Sequence, residues 1–165
     1  MLSSTEQAGQ GRRADNHTPE QRSRTMSRIR SSDTGPELAL RRALWRAGLR
    51  GYRVHLRSLP GRPDIVWPRF KVAVFVDGAF WHGHPSAFKP GKSGAYWDAK
   101  IARNVARDKA SGLALEALGW RVIRLWDFQL KRDLDGCVAD IDEALAASAA
   151  TAAGPAQAAS AVLGR

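Results

Sequence analysis

The chain has 165 residues, with 26 Lys and Arg against 16 Asp and Glu, which give a formal net charge of +10 and a pI near 10.8. This length allows one domain with its own core, and the basic excess indicates a polyanionic partner, with nucleic acid favoured over an acidic membrane surface. The single cysteine, Cys137, excludes an intrachain disulfide framework and argues against a cysteine-based zinc site. No stretch is apolar enough to cross a bilayer and the first residues lack an apolar signal core, so we expect a cytoplasmic protein.

The two ends of the chain differ in composition from its middle. Residues 1–22 are polar and rich in Gly, Ser, Gln and Asn, which predicts a disordered N-terminal extension. Residues 148–165 form a low-complexity tail of Ala, Gly and Ser. A single folded domain is therefore expected over residues 23–147.

The first predicted helix begins at the sequence TGPE. Thr34 precedes Glu37 by three residues, with a proline early in the first turn, which is typical of a helix start. Residues 52–56 then alternate like a strand. Residues 64–67 and 71–77 are β-rich runs separated by a Pro-containing turn, which predicts a hairpin, and the second run is apolar throughout, as in a strand buried on both faces.

A long helix is predicted over residues 96–119, beyond a loop rich in Gly, Pro, Lys and Ser. Its apolar stripe comprises Trp97, Ile101, Val105, Leu115 and Leu118. A strand at residues 120–126 and an amphipathic helix at residues 134–147 follow. The order α-β-β-β-α-β-α predicts an α/β fold with a mixed central sheet flanked by helices.

Three side chains with catalytic chemistry lie at the ends of the predicted hairpin strands. Asp64 begins one run, Asp77 ends the next, and His82 follows five residues later. Carboxylates hold a hard cation such as Mg²⁺, and an imidazole can take a proton from water, which are two requirements of phosphodiester hydrolysis. Taken singly, each residue is equally well explained as a turn or surface-loop residue. Their combination on a basic domain favours a nuclease.

A basic stripe lies on the long predicted helix. Its members are Lys100, Arg103 and Arg107. Such stripes are usually solvated helix faces, but beside a nuclease cleft phosphate contact is the better interpretation. Arg62 is expected to extend the same basic surface.

Several separated motifs resemble a known family. They are GRPD, FVDGAFWHGHP, YWDAKIARNVARD and LGWRVIRLW, with SRTMSRIRSSDTGPE upstream. In order and spacing they resemble the very short patch repair endonucleases, which are DNA mismatch endonucleases. The resemblance implies a restriction-endonuclease-like fold, a variant of the PD-(D/E)xK nucleases, in a bacterial enzyme that is nucleoid-associated when on DNA. It also implies nicking beside the T of a T:G mismatch with Mg²⁺, as one ion or two.

The resemblance further implies roles for individual groups. Asp64 matches the central metal-binding aspartate, and the main-chain carbonyl of Val76 matches a second metal contact. His82 matches the histidine that activates water. The remaining catalytic and site-supporting positions are Glu37, Asp77, Asn104 and Asp108. For Glu37, the capping-box interpretation is an equally good explanation.

Aromatic side chains beside these motifs match a wedge that the family inserts into the base stack at the mismatch. Phe80, Trp81 and Trp97 match the wedge, and Met26, in an expected DNA-contacting arm at residues 23–33, matches a residue inserting from the other groove. An apolar wedge recovers stacking energy where it parts base steps, and a mispair is easier to open than a matched pair. Trp97 is equally well explained as a core residue of its helix.

The chain departs from the family at a structural zinc site that is held by three cysteines and a histidine. The cysteine positions are occupied by Ala79, Ser86 and Phe128, so that only His84 remains of the set. One histidine does not hold zinc, and we therefore expect no structural zinc. Ala79 and Phe128 are expected to pack where the metal would lie.

Three functions are consistent with these features. We expect a monomeric, Mg²⁺-dependent nicking enzyme that acts on double-stranded DNA with a T:G mismatch, has no membrane partner, and is linked functionally to a cytosine-C5 DNA methyltransferase and to mismatch-repair proteins. A related nuclease with restriction-type or relaxed specificity is the first alternative. A non-catalytic DNA-binding module is the second, and Asp64 and His82 argue against it.

Overall fold

The computed structural model describes residues 32–153 of the chain. In chain order its elements are α1 (Gly35–Arg46), β1 (Arg53–Val54), β2 (Ile65–Trp67), a 3₁₀ helix (Pro68–Phe70), β3 (Val72–Asp77), α2 (Ala95–Ala117), β4 (Arg121–Trp126), α3 (Asp127–Arg132) and α4 (Leu134–Ala153). The expected N-terminal extension, most of the expected arm with Met26, and the end of the tail lie outside the described residues.

The four strands form one mixed sheet in the order β1-β2-β3-β4. β1 and β2, like β2 and β3, are antiparallel, whereas β3 and β4 are parallel and joined through α2. The predicted α/β class and the predicted β2–β3 hairpin are therefore confirmed. The Pro-containing turn of that hairpin is the 3₁₀ helix, and Lys71 closes it in the left-handed conformation with φ at 51°.

The sheet is covered on both faces, because alternate residues of β3 enter two separate cores. On one face Val72 and Val74 pack with helices α1, α3 and α4. On the other face Ala73 and Phe75 pack with Leu115 of α2. This arrangement explains why β3 is apolar from Val72 to Val76, since a strand buried on both faces has no solvent side.

Several elements differ from the sequence-based expectation. β1 has two residues rather than five, because His55 adopts a left-handed conformation (φ 48°) that ends the strand. α3 was not predicted, and α4 continues six residues past residue 147, to Ala153. Along α2 the apolar stripe is only partly buried, because the helix packs on the sheet through β4, which leaves Val105 and Leu118 exposed.

No helix among the described residues has the length and apolar character that a bilayer crossing requires.

Candidate active site

Asp64 lies immediately before β2, beside the second half of β3. Its backbone N–H donates to the Val74 carbonyl over 3.0 Å, and its Oδ2 accepts the Val76 N–H at 2.7 Å. The turn before it requires Gly61, since φ there is 71° and a Cβ would come within 2.8 Å of Ser111 Cβ. The hairpin thus brings the Asp64 carboxylate to the end of β3, close to Asp77.

The Asp64 carboxylate is electrostatically disfavoured as an anion. Burial raises its pKa to about 6; the Val76 N–H opposes this effect, and the negative charges of Glu37 and Asp77 add to it. Its Oδ1 lies 3.7 Å from His55 Nδ1. A partly desolvated carboxylate among other acids has a strong tendency to bind a cation.

Glu37 is held in the first turn of α1 and is only 4% exposed. Its Oε1 accepts the Thr34 hydroxyl at 2.8 Å, and its Oε2 accepts the backbone N–H of Asp33 at 2.9 Å. The contacts resemble a capping box displaced by one residue. His55 Nε2 lies 3.5 Å from that Oε2. The capping interpretation and a place beside the Asp64 site are therefore compatible.

Oxygen donors at this edge of the sheet fit a hard divalent cation. Among the described residues, Asp33, Glu37 and His55 offer ligand atoms within 4.8 Å of one another. Both Glu37 oxygens already accept hydrogen bonds, and Asp33 pairs with Arg41. The Asp64 carboxylate, whose pKa is raised by burial, is therefore the better candidate ligand. It satisfies the oxygen preference of Mg²⁺.

Asp77 ends β3 and is paired with an arginine from the neighbouring strand. Its side chain is 3% exposed. Arg124 of β4 donates from Nε to Oδ2 at 2.6 Å and from Nη2 to Oδ1 at 3.0 Å. This bidentate geometry is the strong form of a carboxylate–guanidinium pair. Asp77 is therefore a buried carboxylate with a counter-ion rather than the plain turn residue that the sequence also allowed.

His82 follows β3 on a tight loop and faces two carboxylates. Its Nδ1 lies 2.6 Å from Asp108 Oδ2 and 3.4 Å from Asp77 Oδ1. Burial would lower the pKa of His82, but the hydrogen bond to Asp108 and the charges of both carboxylates outweigh it and raise the pKa above 6.5. The same contacts lower the pKa of Asp108, although burial of that carboxyl works in the opposite direction.

The loop that carries His82 is fastened to α2. Asn104 donates from Nδ2 to the Trp81 carbonyl at 3.0 Å, and the His82 N–H donates to the Gly78 carbonyl at 3.1 Å. Gly83 has φ at 71°, and a Cβ there would come within 2.9 Å of Val105 Cγ2. A glycine is therefore required where the loop crosses the helix. Asn104 and Asp108, one turn apart, thus both contact this loop.

The aromatic side chains form one cluster beside the His82 loop. Phe80 lies edge to face with Trp81 at 5.1 Å and with Trp97 at 5.9 Å between ring centroids, and Trp81 and Trp97 are 5.6 Å apart. Phe88 and Tyr96 extend the cluster. All three predicted wedge residues are half-buried. Trp97 therefore packs with the loop aromatics as well as lying on α2.

The predicted basic residues lie on the exposed side of α2 and on the turn before Asp64. Arg103 and Arg107 are exposed, and Lys100 Nζ lies 5.9 Å from the centre of the Trp97 ring. Arg62 is exposed, with φ at 52°. The stripe therefore runs beside the aromatic cluster, as a phosphate-contacting surface would require.

The positions of the family's zinc ligands hold side chains that do not fit the metal. Ala79 and Phe128 offer no ligand atom, and the His84 ring packs against Trp126 at 4.7 Å and Phe128 at 5.0 Å. Ser86 Oγ lies 2.8 Å from His84 Nδ1. The packing of the His84 ring therefore joins the loop that follows β3 to β4 and α3.

The charged residues of the site form two clusters: an Asp64 cluster with Asp33, Glu37 and His55, and a His82 cluster with Asp77, Asp108 and Arg124. Three of these residues were not predicted from the sequence. Arg124 was interpreted only as a strand residue, His55 as part of an alternating strand, and Asp33 as part of the arm. A signal for Arg124 was present, since it is a charged residue at the centre of the otherwise apolar run VIRLW. The register β3–β4, which places Phe75 opposite Arg124, explains how it reaches Asp77.

Comparison with known proteins identifies relatives of this chain. The family model described as DNA mismatch endonuclease Vsr matches residues 14–87. The type II nicking enzyme V.NmeDIP of Neisseria meningitidis serogroup C is 40% identical over 134 residues, which cover 79% of this chain and 90% of the relative. DNA mismatch endonuclease Vsr of Escherichia coli is 40% identical over 120 residues, which cover 72% and 76%.

One solved structure is similar in fold. The catalytic domain of the homing endonuclease I-Bth0305I aligns with a TM-score of 0.50 and 21% sequence identity, over 70% of this chain and 98% of that domain. At this identity the likeness concerns the fold alone. It agrees with the nuclease fold class expected from the sequence.

Proposed function

Because this chain belongs to the Vsr family of DNA endonucleases, we propose that it is a Mg²⁺-dependent nicking enzyme that hydrolyses the phosphodiester beside the T of a T:G mismatch. The relative from Escherichia coli is named a DNA mismatch endonuclease, whereas the relative from Neisseria meningitidis is named a type II nicking enzyme. Both names describe a cleaving enzyme; the first specifies a mismatch and the second specifies a nick.

The observation that carries the proposal is the combination of two charged clusters with an aromatic cluster. Asp64 lies beside the carboxyl end of β3, and His82 lies on the loop that follows the same strand. In the sequence Phe80 and Trp81 lie between Asp64 and His82, and their rings pack against each other. A phosphodiester beside a parted base step is the substrate that suits such an arrangement.

Asp64 and the main-chain carbonyl of Val76 would hold the divalent cation. When bound, Mg²⁺ would neutralise charge that develops on the phosphate. Asp64 is suited to this role because burial and the neighbouring acids Glu37 and Asp77 make its anionic form costly without a cation. Glu37, fixed by its two hydrogen bonds, would keep α1 and its charge in place beside Asp64.

His82 would take a proton from the attacking water. Its Nδ1 faces Asp108 and Asp77, and a nitrogen bonded to a carboxylate carries the proton, so Nε2 is the basic nitrogen. Nε2 accepts the proton as the water oxygen bonds to phosphorus and the bond to the leaving alkoxide breaks. Asp108 fixes the ring orientation, and Asn104 holds the loop through the Trp81 carbonyl.

Phe80, Trp81 and Trp97 would enter the base stack next to the mismatch. Their rings form a continuous cluster beside the basic residues of α2, which would contact phosphates. Parting a base step next to a mispair requires less energy than parting matched pairs, so the wedge favours the lesion. Met26 would complete the wedge from the other groove.

Nicking of labelled duplexes tests the proposal. Duplexes with one T:G mismatch in pooled flanking contexts are compared with the same duplexes carrying T:A, with Mg²⁺ and with EDTA, and the cut strand is mapped. We expect Mg²⁺-dependent cutting of the T strand at the mismatch only. Equal cutting of the matched duplexes would indicate a restriction-type enzyme, and binding without cutting would indicate a non-catalytic DNA-binding module.

A further inference from the structure

Arg124 is a partly buried arginine of β4, and each of its side-chain nitrogens donates to an oxygen of the protein. It lies in β4 opposite Phe75, with its guanidinium carbon 4.7 Å from the centre of the Phe75 ring. The Nε and Nη2 groups are bonded to the two oxygens of Asp77. Nη1 donates to the Asp108 carbonyl at 3.4 Å, and Nη2 lies 3.7 Å from Asp108 Oδ2. Arg124 therefore connects β3, β4 and α2.

The two acids that Arg124 contacts are the same two that face His82. Asp108 Oδ2 and Asp77 Oδ1 both approach His82 Nδ1, at 2.6 Å and 3.4 Å. The four side chains line one open cavity of about 410 Å³. Among the described residues, the charges nearest the imidazole are Asp77 from β3, Asp108 from α2 and Arg124 from β4. Farther out on α2, Arg107 lies 3.5 Å from Asp108 Oδ1, and Lys109 and Glu116 line the same cavity. Arg124 thus supplies one fixed positive charge that partly offsets the two negative charges beside the imidazole.

We propose that Arg124 is a positioning residue of the endonuclease, which holds Asp77 and Asp108 in the geometry that orients His82 and offsets their charge so that the imidazole can lose its proton. The proposal rests on the proposed function, in which His82 accepts a proton from water. A guanidinium suits the task because it stays charged at any working pH and its planar fork bonds both oxygens of one carboxylate. Without it, the two acids would favour the imidazolium, which cannot act as a base.

Two other roles would leave different signatures. A phosphate contact would affect DNA affinity first, but the Nε, Nη1 and Nη2 donors of Arg124 are all directed at protein oxygens. A purely structural link between β3 and β4 would affect stability without changing how His82 titrates. Titration of His82 and single-turnover kinetics therefore separate the three roles.

The test compares Arg124→Gln and Arg124→Lys with a matched control, Arg121→Gln, which removes an exposed arginine of the same strand. His82 is followed by NMR titration of its imidazole in the free protein; the chain has four histidines, and His82→Gln assigns the signal. Single-turnover nicking of the T:G duplex is measured against pH, and DNA binding is measured in Ca²⁺.

For Arg124→Gln we expect a higher His82 titration midpoint and a nicking rate that rises only at higher pH. At neutral pH the rate should fall by at least about tenfold, whereas DNA affinity should stay within about threefold of wild type. Arg124→Lys keeps the charge and loses the fork, so it should keep the midpoint near that of wild type but nick more slowly. Arg121→Gln should match wild type in every measurement.

An unchanged His82 midpoint in Arg124→Gln would overturn the proposal, as would a loss confined to DNA affinity. If Arg124→Gln does not fold, Arg124→Lys becomes the test. Nicking by Arg124→Lys at the wild-type rate would then overturn the proposal, because it would show that the bidentate guanidinium is not needed. Wild-type protein that fails to nick the T:G duplex would refute the proposed function instead, and the NMR titration would still judge the role of Arg124.

Discussion

The two charged clusters of the site are built in opposite ways. Burial raises the pKa of Asp64 to about 6, and among the described residues the negative charges of Glu37 and Asp77 add to this effect. Around His82, the charges of Asp77 and Asp108 are partly offset by Arg124, which bonds both oxygens of Asp77. Among the described residues, no cationic side chain lies within hydrogen-bond distance of Asp64, whereas Asp77 in the second cluster is paired with an arginine. The difference supports the proposed division of roles, in which the Asp64 cluster would bind a cation and the His82 cluster would move a proton.

The largest expected effect is that of removing the Asp64 carboxylate. Asp64→Ala should lower single-turnover nicking by about a thousandfold or more, since both the cation site and its charge are lost, while DNA binding is largely retained. Nicking and gel-shift measurements on one preparation check this. Asp142→Asn, an exposed aspartate of α4, serves as the control. Nicking at the wild-type rate by Asp64→Ala would contradict the role of Asp64 as a ligand of the catalytic cation.

The next largest effect is expected when the imidazole of His82 is removed. His82→Ala should slow the chemical step by about a hundredfold to ten-thousandfold, the range of a lost general base. The domain should stay folded, because the core lies elsewhere. Ala87→Ser, at an exposed position of the same loop, is the control and should nick within about threefold of wild type. Thermal melts and single-turnover rates decide the outcome, and an unaffected His82→Ala rate would contradict the assignment.

The charge of the Asp64 cluster should also lower the free energy of unfolding in the absence of metal. Since the folded-state pKa of Asp64 is about 6 against an ordinary 3.8, the native state binds a proton more tightly than the unfolded state, and stability falls as pH rises between these values. Asp64→Asn removes this effect. Above pH 6 the variant should be more stable by up to roughly 3 kcal/mol, and below about pH 4 the two should be equal. Urea melts in EDTA across this pH range measure it, and a variant less stable at pH 8 would contradict the electrostatic difference.

The smallest expected effect concerns the aromatic cluster beside both charged clusters. Trp81→Ala should reduce the preference for T:G over T:A duplexes by about tenfold, because one base–aromatic stacking contact is lost. Trp45→Ala, which removes an exposed tryptophan of α1, is the control. Competition binding with both duplexes measures the preference. An equal loss of affinity for matched and mismatched DNA would assign Trp81 to general DNA binding instead.

The sequence predicted the parts of the site that depend on neighbouring strands. A hairpin was expected between the strands that carry Asp64 and Asp77, and the β2–β3 pairing confirms that hairpin, with Ile65 opposite Val74. His82 was singled out by its place soon after β3, and the wedge role of the aromatic residues was inferred from the family resemblance. These features are local, so few contacts distant in sequence are needed to place them.

The sequence did not predict the residues brought in by distant contacts. Arg124 reaches Asp77 only through the parallel pairing of β3 with β4, which a 23-residue helix separates in the chain. His55 meets Glu37 because its left-handed backbone ends β1 and leaves its ring beside α1. Neither position follows from periodicity, because both depend on tertiary register.

The central claim is that His82 transfers a proton at a site where Asp64 holds the cation. Its most direct test is the pH dependence of single-turnover nicking at a T:G mismatch, with wild type and His82→Gln compared under saturating Mg²⁺. The pKa of His82 lies above 6.5, so the wild-type rate should rise through that higher pKa and level off, whereas His82→Gln should be slow and lose that rise. A His82→Gln profile parallel to that of wild type would contradict the account.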